Sequence, residues 1–488
     1  MTYLISGLIV VGTMLASSWL AARGKRISLQ EWAVSGRRLG VVLFWFLSAG
    51  EIFTTFAFLG ASGWAYAYGA PGFYILGNVA LGYALGYWFL PRIWAIAKTH
   101  SMLTQADYYR QRFDSPWLGS LLAIVGIIAL IPYVQLQFTG LGLILKLTFG
   151  PTVNTDLLLA LAGLIVLGFI LITGLQSVAF GSIVKDVLMI IILLGIALTV
   201  PALTGLGSIS AVFAKMDQLH PNYAWLPGLV PKQQYTPLWF MSTLLMTNLG
   251  YWMWPQTFQY TFSGRSADVI RKNAIFQPLY ALAYFFTFAI GFTALLVLPN
   301  LKDSNSALLA LSAKVYPDWF VGVIAGGGML IAIIPGSSLL LTAGTLFAKN
   351  VYRDLLRPRA TDNEVLLASR LGVVATTVIA VYLAIHSNQT LVSILLVAYS
   401  AISQLAPSVL LSLLWRRVTQ WGALAGVVIG LIGISVPQAI AMEKSIAFTM
   451  NTGFVAVLIN FVAVVVVSLL TRAPSEQAIS VGLDPVEA

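Results

Sequence analysis

Glu51 stands in the run Leu47-Ser-Ala-Gly-Glu-Ile-Phe-Thr-Thr-Phe56, and hydropathy makes it the only carboxylate expected well inside a long apolar stretch. A charged acid near a bilayer centre is costly, so an acid kept there usually faces a cavity, an ion or a protonation event. The bland alternative is a neutral Glu that hydrogen-bonds a broken backbone. Glu51, Thr54, Thr55 and Phe58 recur at i, i+3, i+4 and i+7, which predicts one shared helical face. Threonine hydroxyls at that spacing could ligate a cation or a substrate oxygen, or bond the carbonyl one turn back.

The elements that position these residues are membrane helices. Of 488 residues, 59% are hydrophobic and 9% charged, far from the usage of a soluble domain. Thirteen stretches approach the roughly 20 apolar residues that a spanning helix needs. Spans one to seven are expected at 3–22, 40–68, 73–97, 117–147, 157–174, 187–203 and 238–258. Spans eight to thirteen follow at 275–298, 319–348, 365–385, 391–415, 421–441 and 450–470. They are too long for barrel strands and lack alternation with period two. Arg23, Lys25 and Arg26 follow the first stretch rather than precede it, so it reads as a retained span rather than a signal peptide.

With the N-terminus outside, every Arg falls on the cytoplasmic side, and only Lys146, Lys215, Lys232, Lys302, Lys314 and Lys444 lie outside. The positive-inside rule therefore predicts a cell-membrane protein with a cytoplasmic C-terminus. The net charge of +10 then reflects anchoring against anionic lipid, not nucleic-acid binding. Short loops predict a single transmembrane domain over 1–475 with a brief cytoplasmic tail at 476–488, and no output module of the kind a sensor needs. The longest outer connection, 204–236, carries Trp225, Pro221, Pro227 and Pro231, and reads equally as a vestibule lid or an interfacial loop.

Two spans invite unwinding. Span two has Ser48, Gly50, Gly60 and Gly63; span seven has Asn248, Gly250, Pro255 and Gln256. Irregular backbone at membrane depth is tolerated only where it is buried in protein or lines a wet cavity, so a paired break marks a binding site. Each broken span would open a five-helix unit, at about 39–203 and 237–415, in the manner of an inverted repeat. Gln135 and Gln137 in span four, Ser337, Ser338 and Thr342 in span nine, and Gln404 in span eleven add polar groups. Tyr251, Trp252 and Trp254 could wall a pocket for an organic solute, or belong to an interfacial belt. Substrate-binding candidates are thus Glu51, Gln135, Gln137, Asn248, Tyr251, Trp252, Trp254, Gln256 and Gln404. Coupling-ion candidates are Glu51, Thr54, Thr55, Ser337, Ser338 and Thr342, with sodium or a proton as the ion. No cysteine, three scattered histidines and the lack of any hydrolase or phosphate-binding motif argue against an enzyme.

Several stretches resemble the sodium:solute symporter family: Val34-Ser-Gly-Arg-Arg-Leu-Gly40, Ser48-Ala-Gly50, Tyr108-Tyr-Arg-Gln-Arg-Phe113, Thr173-Gly-Leu-Gln-Ser-Val178, Trp254-Pro-Gln256 and Lys349-Asn-Val-Tyr-Arg-Asp354. Ala49-Gly-Glu-Ile-Phe-Thr-Thr-Phe56 and Gly60-Ala-Ser-Gly-Trp-Ala-Tyr66 look most like a branch with bacterial monocarboxylate permeases and uncharacterised symporters. The resemblance implies an all-α, leucine-transporter-like inverted repeat with flanking helices, and cation-driven uptake by alternating access. It places Thr55 at a sodium-site hydroxyl of span two, but puts Ile334 and Pro335 where sodium-binding members carry two adjacent hydroxyls; Ser337 and Ser338 replace them only if Pro335-Gly336 shifts the helix. The expected solute is a monocarboxylate, with an amino acid, another small metabolite or a solute-sensing role as alternatives. An anionic solute and ionised Glu51 at 4 to 5 Å would repel by roughly 3 to 4 kcal/mol at an effective dielectric near 20, so a cation must accompany the solute.

Proteoliposomes with separately imposed pH and sodium gradients test the role of Glu51. Glu51→Gln should abolish accumulation against a gradient; a variant that still concentrates solute removes Glu51 from coupling.

Overall fold

The computed structural model describes residues 2–22, 28–50, 52–150, 152–230, 235–387, 389–446 and 449–483. Glu51, the Arg23, Lys25 and Arg26 cluster, Pro231, Lys232 and the last five residues of the tail lie outside the described residues.

Helices occupy each of the thirteen apolar stretches, and the described residues hold no strand beyond a single bridge between Leu39 and Gly264. Among the described residues, eight helices are long and apolar enough to cross a bilayer, and shorter apolar helices lie at Leu4–Leu20, Thr155–Leu171 and Gln420–Ser435. Spans two and seven are both interrupted. Span two runs as Val41–Gly50, a non-helical stretch, a π-helical turn Phe56–Gly60 and Ala61–Tyr68. Span seven is Pro237–Tyr251 followed by Pro255–Ser263. Of the face expected for Glu51, Thr54, Thr55 and Phe58, the helix resumes at Thr55 and the Phe58 N–H donates to the Thr54 carbonyl at 3.1 Å, so Thr54 and Phe58 stay one turn apart, while Glu51 lies outside the described residues.

Span six differs most from expectation. Its helix begins at Leu175, not at Val187, and runs to Leu203. Lys185 and Asp186 therefore sit inside it, so hydropathy erred in leaving Glu51 as the sole carboxylate within an apolar span. Span twelve stops early, at Ser435, and a second helix starts at Pro437, where the ring removes an N–H donor.

Span nine, Asp318–Leu346 with a π-helical extension to Leu356, is the hub of the bundle. Its most apolar window is 94% buried, against 39–67% for the other long spans, so it faces protein on every side. Small residues allow the close packing around the broken helices. A Cβ on Gly140 would lie 2.6 Å from the Cβ of Thr55, which is how spans two and four touch. A helix, Ile209–Leu219, and the turns after it fold the 204–230 connection onto the end of span two: the Ala70 N–H donates to the Tyr223 carbonyl at 2.7 Å and Leu229 N–H to Tyr68 at 2.9 Å.

At the opposite end, the short helix Gln105–Arg112 docks on the extension of span nine through charge. The Lys349 ammonium donates to Asp107 at 3.1 Å and Asp354 at 2.9 Å, Arg110 pairs with Asp354 at 2.6 Å, and the Asn350 amide donates to Asp107 at 2.8 Å. Burial of the Asp107 carboxyl would raise its pKa, but the Lys349 charge, the Leu103 N–H and the Asn350 amide outweigh it, and the pKa lies below the usual carboxylate range. A depressed carboxylate stabilises the fold fully above its unfolded pKa of about 3.9 and loses that contribution as pH falls through its folded value. Asp107→Asn should therefore cost about 1.5–3 kcal/mol at neutral pH. In detergent, the lead of the wild-type thermal midpoint over the variant should shrink as pH drops below about 4; a lead that grows in acid contradicts the assignment.

Candidate solute and ion site

The break in span two exposes backbone carbonyls that hydrocarbon cannot satisfy. Two buried side chains meet them. The Lys185 ammonium donates to the Phe53 carbonyl at 2.9 Å and the Gly50 carbonyl at 3.3 Å, and it pairs with Asp186 at 2.6 Å. Both charged side chains are 0% exposed. Tyr284 of span eight donates its hydroxyl to the Ile52 carbonyl at 3.3 Å. Gly50 permits this approach, since a Cβ there would sit 3.0 Å from Ser182 Oγ and 3.3 Å from Lys185 Nζ. Gly50 also closes the half-helix Val41–Gly50, whose C-terminal dipole end favours a cation.

The break in span seven is held in the same fashion by a neutral group. Gln105 donates its amide to the Met253 carbonyl at 2.8 Å. Trp252 donates its indole N–H to the Gly82 carbonyl at 2.7 Å, and Tyr251 shares a 2.7 Å hydroxyl contact with Tyr83. Trp254 packs its ring against Tyr133 and Tyr399, with centroids 4.9 and 5.5 Å away. Its indole N–H is buried with no hydrogen-bond partner among the described residues.

Span four links the two breaks. The Gln137 side-chain oxygen accepts from the Thr55 N–H at 3.3 Å and the Thr55 hydroxyl at 2.8 Å. The N–H donor fixes which end of this amide is oxygen, so its NH2 group is a true donor, and it too is buried without a partner among the described residues. Tyr133 and Gln137 stand one turn apart on the same face of Pro116–Phe149. Trp254 touches the first of them, and Thr55 touches the second.

The hydroxyls singled out for a coupling ion separate into two groups by their hydrogen bonds. Thr55 bonds Gln137, while Thr54 accepts from the Phe56 N–H at 3.2 Å. In span nine, Ser337 donates to Ile333 at 2.6 Å, Ser338 accepts from Tyr260 at 2.6 Å, and Thr342 donates to Gln259. Ser338 and Thr342 thus engage the second half of span seven. Gln256 is fully buried in that same half, and Gln135 is buried in span four. Asn248 donates to the Leu244 carbonyl at 3.1 Å and, with Trp252, lines a cleft of about 360 Å³ whose rim includes the exposed Trp88 and Leu414. Gln404 joins span eleven to span thirteen, donating to Gly453 at 3.3 Å and accepting from Asn460 at 3.2 Å.

Sequence reasoning missed Lys185, Asp186, Gln105, Tyr133, Tyr284 and Tyr399. The adjacent charges at 185 and 186 were visible, but a hydropathy window trimmed span six to exclude them. The tyrosines carried no local signal, because a phenol in a membrane helix is equally an interfacial anchor.

With this geometry in place, similarity to known proteins becomes informative. The Sodium:solute symporter family model matches residues 32–430. The uncharacterized symporter YhjB of Bacillus subtilis (strain 168) is 38% identical over 96% of this chain and 98% of its own length. A monocarboxylate transport permease protein of Rhizobium johnstonii is 26% identical over 96% of this chain and 95% of its own. A Na+-coupled sialic acid symporter, solved substrate-bound and outward-open, superposes with a TM-score of 0.79 at 16% identity, over 97% of this chain and 99% of that one, and so shares the fold. The helical architecture with two broken spans is that of a leucine-transporter-like carrier, and the chain belongs to the sodium:solute symporter family, whose members are membrane transporters and not enzymes.

Proposed function

We propose that this symporter carries a small organic anion, a monocarboxylate in the first instance, together with a cation. The observation that carries this reading is that the Trp254 indole N–H and the Gln137 amide are among the buried donors without a hydrogen-bond partner among the described residues. An orphaned buried donor costs about 1–3 kcal/mol, so a site that keeps two of them is built for a ligand rich in acceptors. A carboxylate offers two oxygens with about four lone-pair positions and no donor when ionised. Tyr133 and Tyr399 flank Trp254 as apolar walls, which suits a short carbon chain attached to the carboxylate. The similarity to a monocarboxylate permease over nearly the full chain supports the same solute class.

Transport by alternating access would rock the units 39–203 and 237–415 about the site between the two breaks. The arrangement of basic residues supports an outside N-terminus and a cytoplasmic C-terminus in the cell membrane. An anion entering a low-dielectric site brings its charge with it, and a cotransported cation offsets that charge. Glu51 keeps its sequence-based role as the proton-accepting candidate beside Gly50.

The test is uptake of radiolabelled pyruvate, as a representative monocarboxylate, into proteoliposomes. Trp254→Phe keeps the ring and removes the N–H, and should raise the apparent KM about tenfold, the equivalent of about 1.4 kcal/mol, while the thermal midpoint holds. Uptake by the wild type no greater than in empty vesicles, or a variant with unchanged KM, contradicts the proposal.

A further inference from the structure

We infer that the Lys185 ammonium is a tethered cation that fills the carbonyl cradle of span two, so this transporter binds its solute without a sodium ion at that position. The cradle has the makings of an ion site: the carbonyl at the C-terminal end of the half-helix Val41–Gly50 and the carbonyl of Phe53 in the unwound stretch. Unwound carbonyls and half-helix C-termini at membrane depth are the groups that hold sodium in carriers of this architecture. Here both carbonyls are already taken by a covalently attached positive charge, at 2.9 and 3.3 Å. The Asp186 carboxylate adds an ion pair at 2.6 Å.

Among the described residues, the surroundings leave a second cation poorly served. Span nine meets this part of span six through Ile334, whose Cδ1 lies 2.6 Å from where a Cβ on Gly181 would be, one turn before Lys185. An aliphatic side chain offers an ion no ligand. Of the span-nine hydroxyls, Ser337 donates to the Ile333 carbonyl, and Ser338 donates to the Pro335 carbonyl and accepts from Tyr260. Tyr284 occupies the remaining Ile52 carbonyl. A sodium ion would have to displace a buried ammonium or sit against it, two like charges sharing one desolvated site. The charge of the Lys185–Asp186 pair is balanced, so the tethered cation does for the broken helix what a bound ion would do, without leaving when the carrier turns.

The functional consequence, sodium-independent uptake, rests on the symporter reading; the ion-binding prediction does not, and its test needs no solute. Thermal unfolding of the purified full-length protein is measured in sodium chloride and in choline chloride of equal ionic strength. The wild type should show equal midpoints. Lys185→Thr empties the cradle and leaves Asp186 without its partner, so its midpoint should fall in choline and recover in sodium by about 2 °C or more. Lys185→Arg keeps the charge and should be indifferent to sodium. A sodium-specific rise in the wild type, or a Lys185→Thr protein that unfolds identically in both salts, overturns the inference. Should Lys185→Thr not fold, equilibrium dialysis of the wild type against radiolabelled sodium decides the matter: no saturable binding supports the inference, and saturable binding overturns it. Absence of pyruvate uptake would refute the proposed solute while leaving these results standing.

Discussion

A carbonyl at a helix break in the middle of a bilayer has no water to turn to, and this constraint organises the molecule. Each unsatisfied backbone group in hydrocarbon costs several kcal/mol, so a helix breaks there only if another part of the protein arrives to bond it. Span six brings Lys185 to Gly50 and Phe53, span eight brings Tyr284 to Ile52, and the helix Gln105–Arg112 brings Gln105 to Met253. The breaks and their partners are therefore one device. The nature of each partner sets what the break can do, a charge at one and a neutral amide at the other.

Around this device the bundle is tied at both ends. Toward one end, Tyr66 donates to the Leu298 carbonyl at 2.7 Å, Trp64 stacks on Trp239, and the 204–230 connection bonds Tyr68 and Ala70. Toward the other, Arg37 reaches the carbonyls of Phe262 and Ala97 at 3.3 and 3.2 Å, and Leu39 pairs with Ser263 and Arg265 at 3.0 Å. Both sets of contacts join span two, or the residues just before it, to spans seven and eight or to elements beside them. An alternating-access cycle must loosen one set at a time, and the polar, hydrogen-bonded character of both makes each exchangeable for water at small net cost. Span nine, buried on all sides in its most apolar window, packs at the centre of the bundle between these contacts.

How much of this was legible in the sequence follows from the range of the forces involved. Hydropathy is summed over a single stretch, so it located the apolar segments, and Gly and Pro located the two breaks, because helix disruption is local. Hydrogen-bond partners across the bundle are not local. Nothing in the run around Gly50 indicates that Lys185, far along the chain, will supply its missing donor, and the same window that finds spans penalised Lys185 and Asp186 and cut the helix short of them. The face drawn through Glu51, Thr54, Thr55 and Phe58 crosses the break: Thr54 and Phe58 stay one hydrogen-bonded turn apart, whereas the non-helical residues 52–54 interrupt the helix on the side of Glu51. Trp254 was legible as an aromatic beside a break, whereas its tyrosine neighbours emerged only with the packing of spans four and eleven.

The inferred role of the Lys185 ammonium is to occupy the broken end of span two in place of a separate ion. A density map of protein purified in sodium chloride, at a resolution that defines side-chain termini, tests it directly. Continuous density from Lys185 to within hydrogen-bonding distance of the Gly50 and Phe53 carbonyls is the expected result. A lysine swung away from those carbonyls, with a discrete ion-sized peak between them, would contradict it.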